Sequence, residues 1–269
     1  MAARRRERQG IQSVETAGRV LRALADAREP LMLRDLAARA GMPAAKAHRY
    51  LVSLARLGLV EQQPASGRYG LGQFALEIGL AALAGLDPVT VAARWLEGLA
   101  RETGETVAIA VWGNRGPVIV RWWGADTPVA ATARVGAVMP LTRSATGRAF
   151  LAFLPREATA DLLAEELRAN GRAGLDPRTA EEAEQIAAKT ARAGYGFTSD
   201  FIPGISGIAV PVRDSNGMMV IALIALGYTK PFNARREAIV AATRRAAEEI
   251  SARLGYGANG SEDRESGEG

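Results

Sequence analysis

Residues 41–72 read GMPAAKAHRYLVSLARLGLVEQQPASGRYGLG, and this stretch decides the fold of the first part of the chain. Gly41 tolerates the left-handed backbone that ends one helix, and Pro43 suits the first turn of the next. This next helix is predicted from about Pro43 to Leu57. Its apolar residues fall on one side at the 3.6-residue period: Ala47, Leu51 and Leu54.

The residues on both sides of this helix complete a winged helix-turn-helix. Upstream, apolar residues recur every three or four positions from Gly10 to Asp26, and a short second helix is predicted from Leu33 to Ala40. Downstream, two short strands flank the turn Pro64-Ala65-Ser66-Gly67, which is typical of a β-hairpin. A hairpin directly after the third helix is a wing.

The rest of the chain predicts a second domain in which helices pack against one antiparallel sheet, so the fold class is α+β. A helix is predicted over residues 72–102 with a break near residues 85–88, and its first half is apolar nearly all round. So much apolar surface favours burial against a second copy of the chain. Strands are predicted at residues 106–112, 118–123, 129–134, 205–212 and 218–226. Helices are predicted at residues 144–154, 157–169, 179–193 and 233–254.

Positive charge is concentrated at the front of the chain. The net charge is +5 over 269 residues, but residues 1–72 hold 13 Lys and Arg against 6 Asp and Glu, about +7. A segment with this charge suits a partner that carries phosphates, because each neutralised phosphate releases condensed counterions. A solvated basic face with no partner is the alternative on charge alone.

Composition excludes several classes of function. The chain has no cysteine and one histidine, in the N-terminal part, so neither a Cys-His pair nor a Ser-His-Asp triad can form in the C-terminal part. No phosphate loop, dinucleotide fingerprint or metal-ligand cluster occurs, and we expect no cofactor and no metal. Neither a secretory signal nor a run of about 20 apolar residues is visible, so we expect a cytoplasmic protein with no membrane contact.

A series of short motifs runs through residues 11–253. In the N-terminal part they are residues 12–15 (QSVE), 41–49 (GMPAAKAHR), 57–61 (LGLVE) and 67–72 (GRYGLG). In the C-terminal part they are residues 135–141 (VGAVMPL), 145–149 (ATGRA), 194–196 (GYG) and 207–212 (GIAVPV). In this order and spacing, the motifs resemble those of the IclR family of transcriptional regulators.

The resemblance implies a regulator that binds double-stranded operator DNA as a homodimer or a dimer of dimers and responds to a small-molecule effector. A small-molecule hydrolase and an effector-independent DNA-binding protein are the alternatives. The resemblance also implies a linker helix and a GAF-like sensing domain. The expected parts are a disordered basic arm (1–10), the winged helix-turn-helix (11–72), the linker helix (73–86), the effector-binding domain (87–255) and a disordered tail (256–269).

The N-terminal half of the third helix of a winged helix enters the major groove. Arg49 suits a bidentate contact to guanine, with a surface salt bridge as the alternative. His48 could instead cap a neighbouring helix. Arg68, expected at the wing tip, should meet the DNA backbone or minor groove unless it is only solvated. The side chains of the third helix that could reach DNA are Ala44, Ala45, Lys46, His48 and Arg49.

The family commonly has a Ser-Thr pair where this chain has Ala45-Lys46. We therefore expect the lysine ammonium to replace hydroxyl contacts to phosphate. Because this position differs, the operator sequence cannot be taken over from relatives.

The helix that begins near Ser144 predicts an anion site for a carboxylate effector. Its first backbone N–H groups are expected to be free, and they belong to Ser144, Ala145, Thr146 and Gly147. An ordinary helix start, capped by Thr142 or Ser144, is the alternative. The resemblance implies that the opposite walls come from Thr198 to Asp200, Ile205, Gly207, Ile224 and Leu226.

Two large apolar residues favour one type of effector. Relatives that sense small polar acids often carry small hydroxyl side chains where this chain has Ile224 and Leu226. Plain core packing is the alternative for both residues. We therefore expect a carboxylate on an aromatic or otherwise apolar body rather than a compact polar acid such as pyruvate.

Overall fold

The structure, a computed structural model, describes residues 10–27, 29–85, 87–124 and 135–257, without the side chains of residues 83, 84 and 200. Two compact units divide between Gly85 and Leu86. The first contains α1 (Gln12–Ala27), α2 (Leu33–Arg39), α3 (Ala44–Arg56), β1 (Val60–Gln62), β2 (Tyr69–Leu71) and α4 (Gln73–Ala84). The second contains α5 (Pro88–Thr103), β3 (Thr106–Gly113), β4 (Gly116–Trp123), α6 (Ala145–Phe153), α7 (Arg156–Ala173), α8 (Ala180–Ala193), β5 (Gly196–Ile202), β6 (Ile205–Arg213), β7 (Met219–Tyr228), α9 (Thr229–Ala234) and α10 (Arg236–Arg253).

Three predicted segments fall largely or wholly outside the described residues. The strand expected at residues 129–134 lies outside them completely. Of the basic arm at residues 1–10 only Gly10 is described, and of the tail at residues 256–269 only Tyr256 and Gly257 are.

The first unit is a winged helix-turn-helix, as predicted. The turn after α2 closes at Gly41, whose φ of 64° is a conformation that other residues rarely adopt. The N–H groups of Gly41 and Met42 donate to carbonyls of α2 at 3.1 and 3.0 Å, which ends that helix. β1 and β2 pair antiparallel with Val60 opposite Leu71 and form the wing.

A small apolar core holds the three helices and the wing together. Its buried side chains come from all of these elements: Val20, Leu24, Leu36, Leu51, Leu54, Val60 and Tyr69. The first turn of α1 departs from the predicted apolar stripe, because Ile11 and Val14 are 69% and 65% exposed. The stripe enters the core from Ala17 onward.

α4 presents apolar side chains to solvent. Four large ones are between 44% and 57% exposed: Phe74, Leu76, Ile78 and Leu80. In the described part of the first unit, this helix therefore has no apolar face that the rest of the unit covers. A contiguous apolar surface of this kind marks an interaction site more often than a free surface.

The second unit is built on a five-stranded antiparallel sheet in the order β4-β3-β7-β6-β5, so the predicted α+β class is confirmed. The edge strand β5 was not predicted. Its sequence GFTSDFI has three polar residues in the middle, which interrupt the alternation that identifies a strand. It forms because β6 pairs with it along Gly196 to Ser199.

Alternate residues of β7 face opposite sides of the sheet. One set packs in the cluster formed with α5 and α10: Ile221, Leu223 and Ala225. The other set packs in the cluster that contains the residues of α6: Ala222, Ile224 and Leu226. Helices cover both faces, and β7 therefore consists of an almost unbroken apolar run.

A β-bulge in β4 changes which of its residues share a face. Ile109 lies opposite Arg121, whereas the next residue of β3, Ala110, lies opposite Ile119. Ile119 and Trp122 are three residues apart, yet both contact the cluster on the α6 side.

The helix predicted over residues 233–254 is present as α10, and a short helix that was not predicted, α9, precedes it. α9 and α10 meet at Arg235, which has a φ of −112° and a ψ of 11°. The Arg235 guanidinium donates to the Thr103 carbonyl at 2.8 Å and to the Glu105 carboxylate at 2.5 Å. Burial raises the pKa of Glu105, and the charge of Arg235 opposes that rise. The junction is thus tied to the end of α5.

Candidate functional site

The exposed face of α3 carries the residues predicted to contact DNA. Ala44, Ala45, His48 and Arg49 are exposed, and Lys46 is half-buried. The opposite face of the helix is buried in the core of the unit through Ala47, Leu51 and Leu54. The sequence of α3, AAKAHRYLVSLAR, contains no acidic residue, so its exposed face is basic.

The cationic side chains of this face are unpaired within the described part of the chain. Arg49 contributes only its backbone carbonyl, which accepts a bond from the Ser53 hydroxyl at 3.3 Å. The alternatives considered for Arg49 and His48, a salt bridge and a helix-capping bond, do not occur with any described residue. Neither side chain therefore bonds to another described residue of the protein.

Arg68 was predicted at the tip of the wing, but the structure places it away from the tip. The tip is formed by residues 64–66, and Arg68 lies immediately before β2. Its guanidinium donates to the Pro30 carbonyl at 3.1 Å. At the tip, the Ser66 hydroxyl donates to the Gln63 side chain at 2.8 Å, so the groups there are polar and uncharged.

In the second unit, eight of the ten predicted effector-binding residues surround one cavity beside α6 and the sheet. They are Ser144, Ala145, Thr146, Thr198, Ile205, Gly207, Ile224 and Leu226. The cavity has a volume of about 50 Å³. Ordinary ligand pockets begin at roughly 300 Å³, so in this structure the cavity is too small for an effector.

Two predicted residues are not part of this wall. The Gly147 N–H donates to the Ser144 hydroxyl at 2.8 Å, and a Cβ at position 147 would lie 2.0 Å from the Pro140 carbonyl oxygen. The structure therefore assigns Gly147 to the close packing of α6 on the preceding loop. The side chain of Asp200 lies outside the described part of the chain.

Sequence reasoning missed five lining residues, most of them large and apolar. Ile119 and Trp122 share the wall because of the bulge in β4, which alternation along a strand cannot reveal. Two others, Phe201 and Ile202, are the last residues of the unpredicted strand β5. The pair Trp122-Trp123 at the end of a predicted strand was the available signal. The full set is Ile119, Trp122, Met139, Phe201 and Ile202.

Three of the four N–H groups predicted to be free at the start of α6 are engaged, so that prediction is wrong for them. Ser144 donates to the Pro140 carbonyl at 3.4 Å, Ala145 to the Thr198 hydroxyl at 3.2 Å, and Gly147 to the Ser144 hydroxyl at 2.8 Å. Ser144 is the N-cap of α6, which was the alternative considered.

Thr146 is the polar centre of the cavity. It is 3% exposed, and neither its N–H nor its hydroxyl bonds to a described residue. The Thr198 hydroxyl accepts from Ala145 and keeps its own hydrogen to donate. Among the described lining residues there is no carboxylate, so the polar groups of this wall suit a ligand that accepts hydrogen bonds.

Two arginines add positive charge near this wall. Arg148 donates to the Thr142 carbonyl at 2.7 Å and to the Phe197 carbonyl at 2.8 Å. Burial lowers the pKa of the Arg148 guanidinium, which nevertheless stays protonated. The guanidinium of Arg143 lies 5.7 Å from the ring centroid of Phe201, a lining residue. Neither arginine lines the cavity, and the Glu166 carboxylate lies in the same region, where it accepts from the Thr142 N–H at 2.8 Å.

In the described ranges, no group of three or more His, Asp and Glu side chains could hold a metal ion. Within the same ranges, none of the helices combines the length and the apolar character that crossing a bilayer requires.

A winged helix-turn-helix whose basic face pairs with no described residue, together with an α+β domain that holds a small cavity lined by hydrogen-bond donors and apolar side chains, is typical of a ligand-responsive transcriptional regulator. Residues 13–64 match the IclR helix-turn-helix domain, and residues 80–252 match the family described as bacterial transcriptional regulator IclR C-terminal. The chain belongs to the IclR family, and the resemblance seen in its motifs is confirmed.

Relatives extend the match over nearly the whole chain. It is 34% identical over 254 residues to the glycerol operon regulatory protein of Streptomyces griseus, covering 92% of this chain and 98% of that protein. The crystal structure of Pseudomonas aeruginosa HmgR has a TM-score of 0.81 at 34% identity and covers 92% of this chain and 99% of that one.

Another solved relative is an IclR homolog of Microbacterium hydrocarbonoxydans complexed with 4-hydroxybenzoate. It has a TM-score of 0.52 at 25% identity and covers 90% of this chain and 99% of that one. The named relatives of this chain are transcriptional regulators and not enzymes.

Proposed function

We propose that this chain regulates transcription as a homodimer or a dimer of dimers, with an aromatic or otherwise apolar carboxylate as its effector. The observation that carries the proposal is the composition of the cavity in the second unit. Hydrogen-bond donors on Thr146 and Thr198 that bond to no described residue line the same cavity as several large apolar side chains.

The two walls select complementary parts of a ligand. A carboxylate accepts from the Thr146 N–H and hydroxyl and from the Thr198 hydroxyl. The opposite wall offers nothing polar to a keto or hydroxy group, because Ile224 and Leu226 are 3% and 7% exposed and apolar. An aromatic body against these residues gains about 25 cal/mol for each Å² that it buries.

Binding of such a ligand requires the walls to move apart. The cavity of about 50 Å³ is several times smaller than the roughly 300 Å³ of the smallest ordinary ligand pockets. Phe201 and Ile202 end the edge strand β5, which pairs with β6 alone, so they are the lining residues that can move at the lowest cost in backbone hydrogen bonds. Displacing Phe201 would also carry Arg143, which stacks on it, and this links occupancy to a change of shape.

On the DNA side, we assign sequence reading to α3. The unpaired guanidinium of Arg49 suits guanine in the major groove, and Lys46 suits a phosphate. Arg68 is the weakest of the proposed contacts, because its guanidinium is bonded to the Pro30 carbonyl. Contacts from the wing would then come from the uncharged groups at its tip.

α4 supplies the proposed contact between two chains. Its exposed apolar side chains, Phe74, Leu76, Ile78 and Leu80, would be covered by the same helix of a second copy in an isologous interface. Light scattering of the full chain at micromolar concentration should give the mass of a dimer or tetramer. The double change Leu76→Glu and Leu80→Glu should give a monomer, whereas Met218→Glu, at an apolar position of the second unit that is 40% exposed, should not.

The effector assignment is tested by calorimetric titration of the full chain with benzoate, 4-hydroxybenzoate and pyruvate. We expect an aromatic acid to bind more tightly than pyruvate. Tighter binding of pyruvate than of any aromatic or long-chain acid would refute the assignment. Binding of no acid at all would favour the alternative of an effector-independent DNA-binding protein.

A further inference from the structure

The solvent-facing stripe of α3 contains one branched apolar residue among cations. The stripe lies opposite the buried Ala47, Leu51 and Leu54 and runs through positions spaced by four, three and four residues, so its members share one face. Val52 in this stripe is 39% exposed. The members of the stripe are Ala45, Arg49, Val52 and Arg56.

A protein partner fits this stripe poorly. Burying Val52 against another protein would also remove water from the guanidinium groups of Arg49 and Arg56, which have no ion pair with any described residue. α3 has no carboxylate that could compensate. DNA removes this cost, because the phosphates and the guanine edge accept bonds from the arginines. An apolar side chain then meets the one apolar group that base edges expose in the major groove, the C5-methyl of thymine.

We propose that the contact with base edges extends beyond the N-terminal half of α3 to Val52, which determines sequence specificity by contacting a thymine methyl group next to the guanine read by Arg49. This inference rests on the proposed role of α3 in DNA reading. Three residues of helix advance about 4.5 Å along the axis, and base pairs are spaced by about 3.4 Å. The thymine therefore lies one or two base pairs from the guanine in each half-site.

The experiment begins with selection of duplexes from a random DNA pool by the full-length wild-type protein. Each thymine of the selected site is then replaced by deoxyuridine, which removes only the methyl group. We expect one thymine per half-site, within two base pairs of a guanine, at which the replacement weakens wild-type binding about threefold to fivefold. Val52→Ala should weaken binding to the thymine site by a similar factor and should be insensitive to deoxyuridine at that position.

Val52→Thr gives a second variant of nearly the same shape and exposure. It keeps one methyl group, so its sensitivity to deoxyuridine should lie between those of wild type and Val52→Ala. Because Val52 is exposed, neither change should alter the thermal unfolding temperature. Arg49→Ala serves as the matched comparison, since it should relax the choice at the guanine and leave the deoxyuridine effect at the thymine in place.

The outcomes distinguish the role of Val52 from the proposed DNA-reading role of α3. Enrichment of no sequence from the pool would overturn the DNA-reading role of α3 itself. A selected site whose thymines all tolerate deoxyuridine, or a Val52→Ala variant that weakens every duplex equally, would overturn the role of Val52 alone.

Discussion

Replacing Thr146 by valine should separate ligand binding from stability. Valine has nearly the shape of threonine but lacks the hydroxyl, and the Thr146 hydroxyl lines the cavity and bonds to no described residue. Removing a hydroxyl that bonds to no described residue costs no hydrogen bond among those residues. We therefore expect the free energy of unfolding to stay the same or to rise slightly.

Affinity for the effector should change in the opposite direction. A hydrogen bond to a charged group contributes about 1.5–3 kcal/mol. Loss of the one from Thr146 to the carboxylate should raise the Kd about 10- to 150-fold. The N–H of residue 146 remains, so binding is weakened and not abolished.

The assay is titration calorimetry of full-length protein with benzoate or 4-hydroxybenzoate, alongside urea unfolding of the same preparations. Thr243→Val is the matched control, because Thr243 is fully buried on the other face of the sheet and its hydroxyl donates to the Ile239 carbonyl at 2.7 Å. This control should lose up to about 1 kcal/mol of stability and keep its affinity. Wild-type affinity in Thr146→Val would refute the proposed carboxylate site.

Three further predictions concern DNA binding, packing and pH. Lys46→Ala should weaken binding to every duplex and reduce the slope of log K against log salt by about one, as measured by fluorescence anisotropy; an unchanged slope would contradict the phosphate contact. Gly147→Ala should cost about 3 kcal/mol in urea unfolding, because the new Cβ would lie 2.0 Å from the Pro140 carbonyl oxygen, whereas Gly171→Ala, with open space around it, should be neutral or stabilising. The backbone N–H groups of Arg178 and Thr179 donate to the Glu182 carboxylate and lower its pKa. The loss of unfolding free energy in Glu182→Ala should therefore be complete above the ordinary glutamate pKa and should disappear as the pH falls through the lowered pKa of Glu182. A loss that does not depend on pH would contradict a contribution from the ionised carboxylate.

Local patterns were sufficient for the winged helix-turn-helix. α3 could be placed from the sequence because a proline begins it, a glycine follows it and its apolar residues repeat at the helical period, all within about 15 positions. The same holds for the two helices before it and for the hairpin after it. These signals depend on neighbours in sequence, so no tertiary contact is needed to read them.

The cavity was predictable only in part, because its walls depend on contacts between distant segments. The β4 bulge turns Ile119 and Trp122 to one side, and only the pairing with β3 reveals it. β5 exists because β6 pairs with it, although its own polar centre does not indicate a strand. The Ala145 N–H donates to the hydroxyl of Thr198, which is 53 residues away in sequence. The sequence pattern at a helix start does not predict such a bond.

The sequence by itself determined the family, the α+β class, the basic front of the chain and the helix proposed to face DNA, since these follow from composition, periodicity and motif order. Tertiary structure decided which polar groups stay free. In the structure the Arg68 guanidinium donates to the Pro30 carbonyl, and Gly147 packs closely against the preceding loop. Thr146 lines an apolar cavity and bonds to no described residue. The physical reason is that a donor or acceptor forms a hydrogen bond only when a partner lies within about 3 Å of it. For these groups the neighbouring atoms come from another part of the chain.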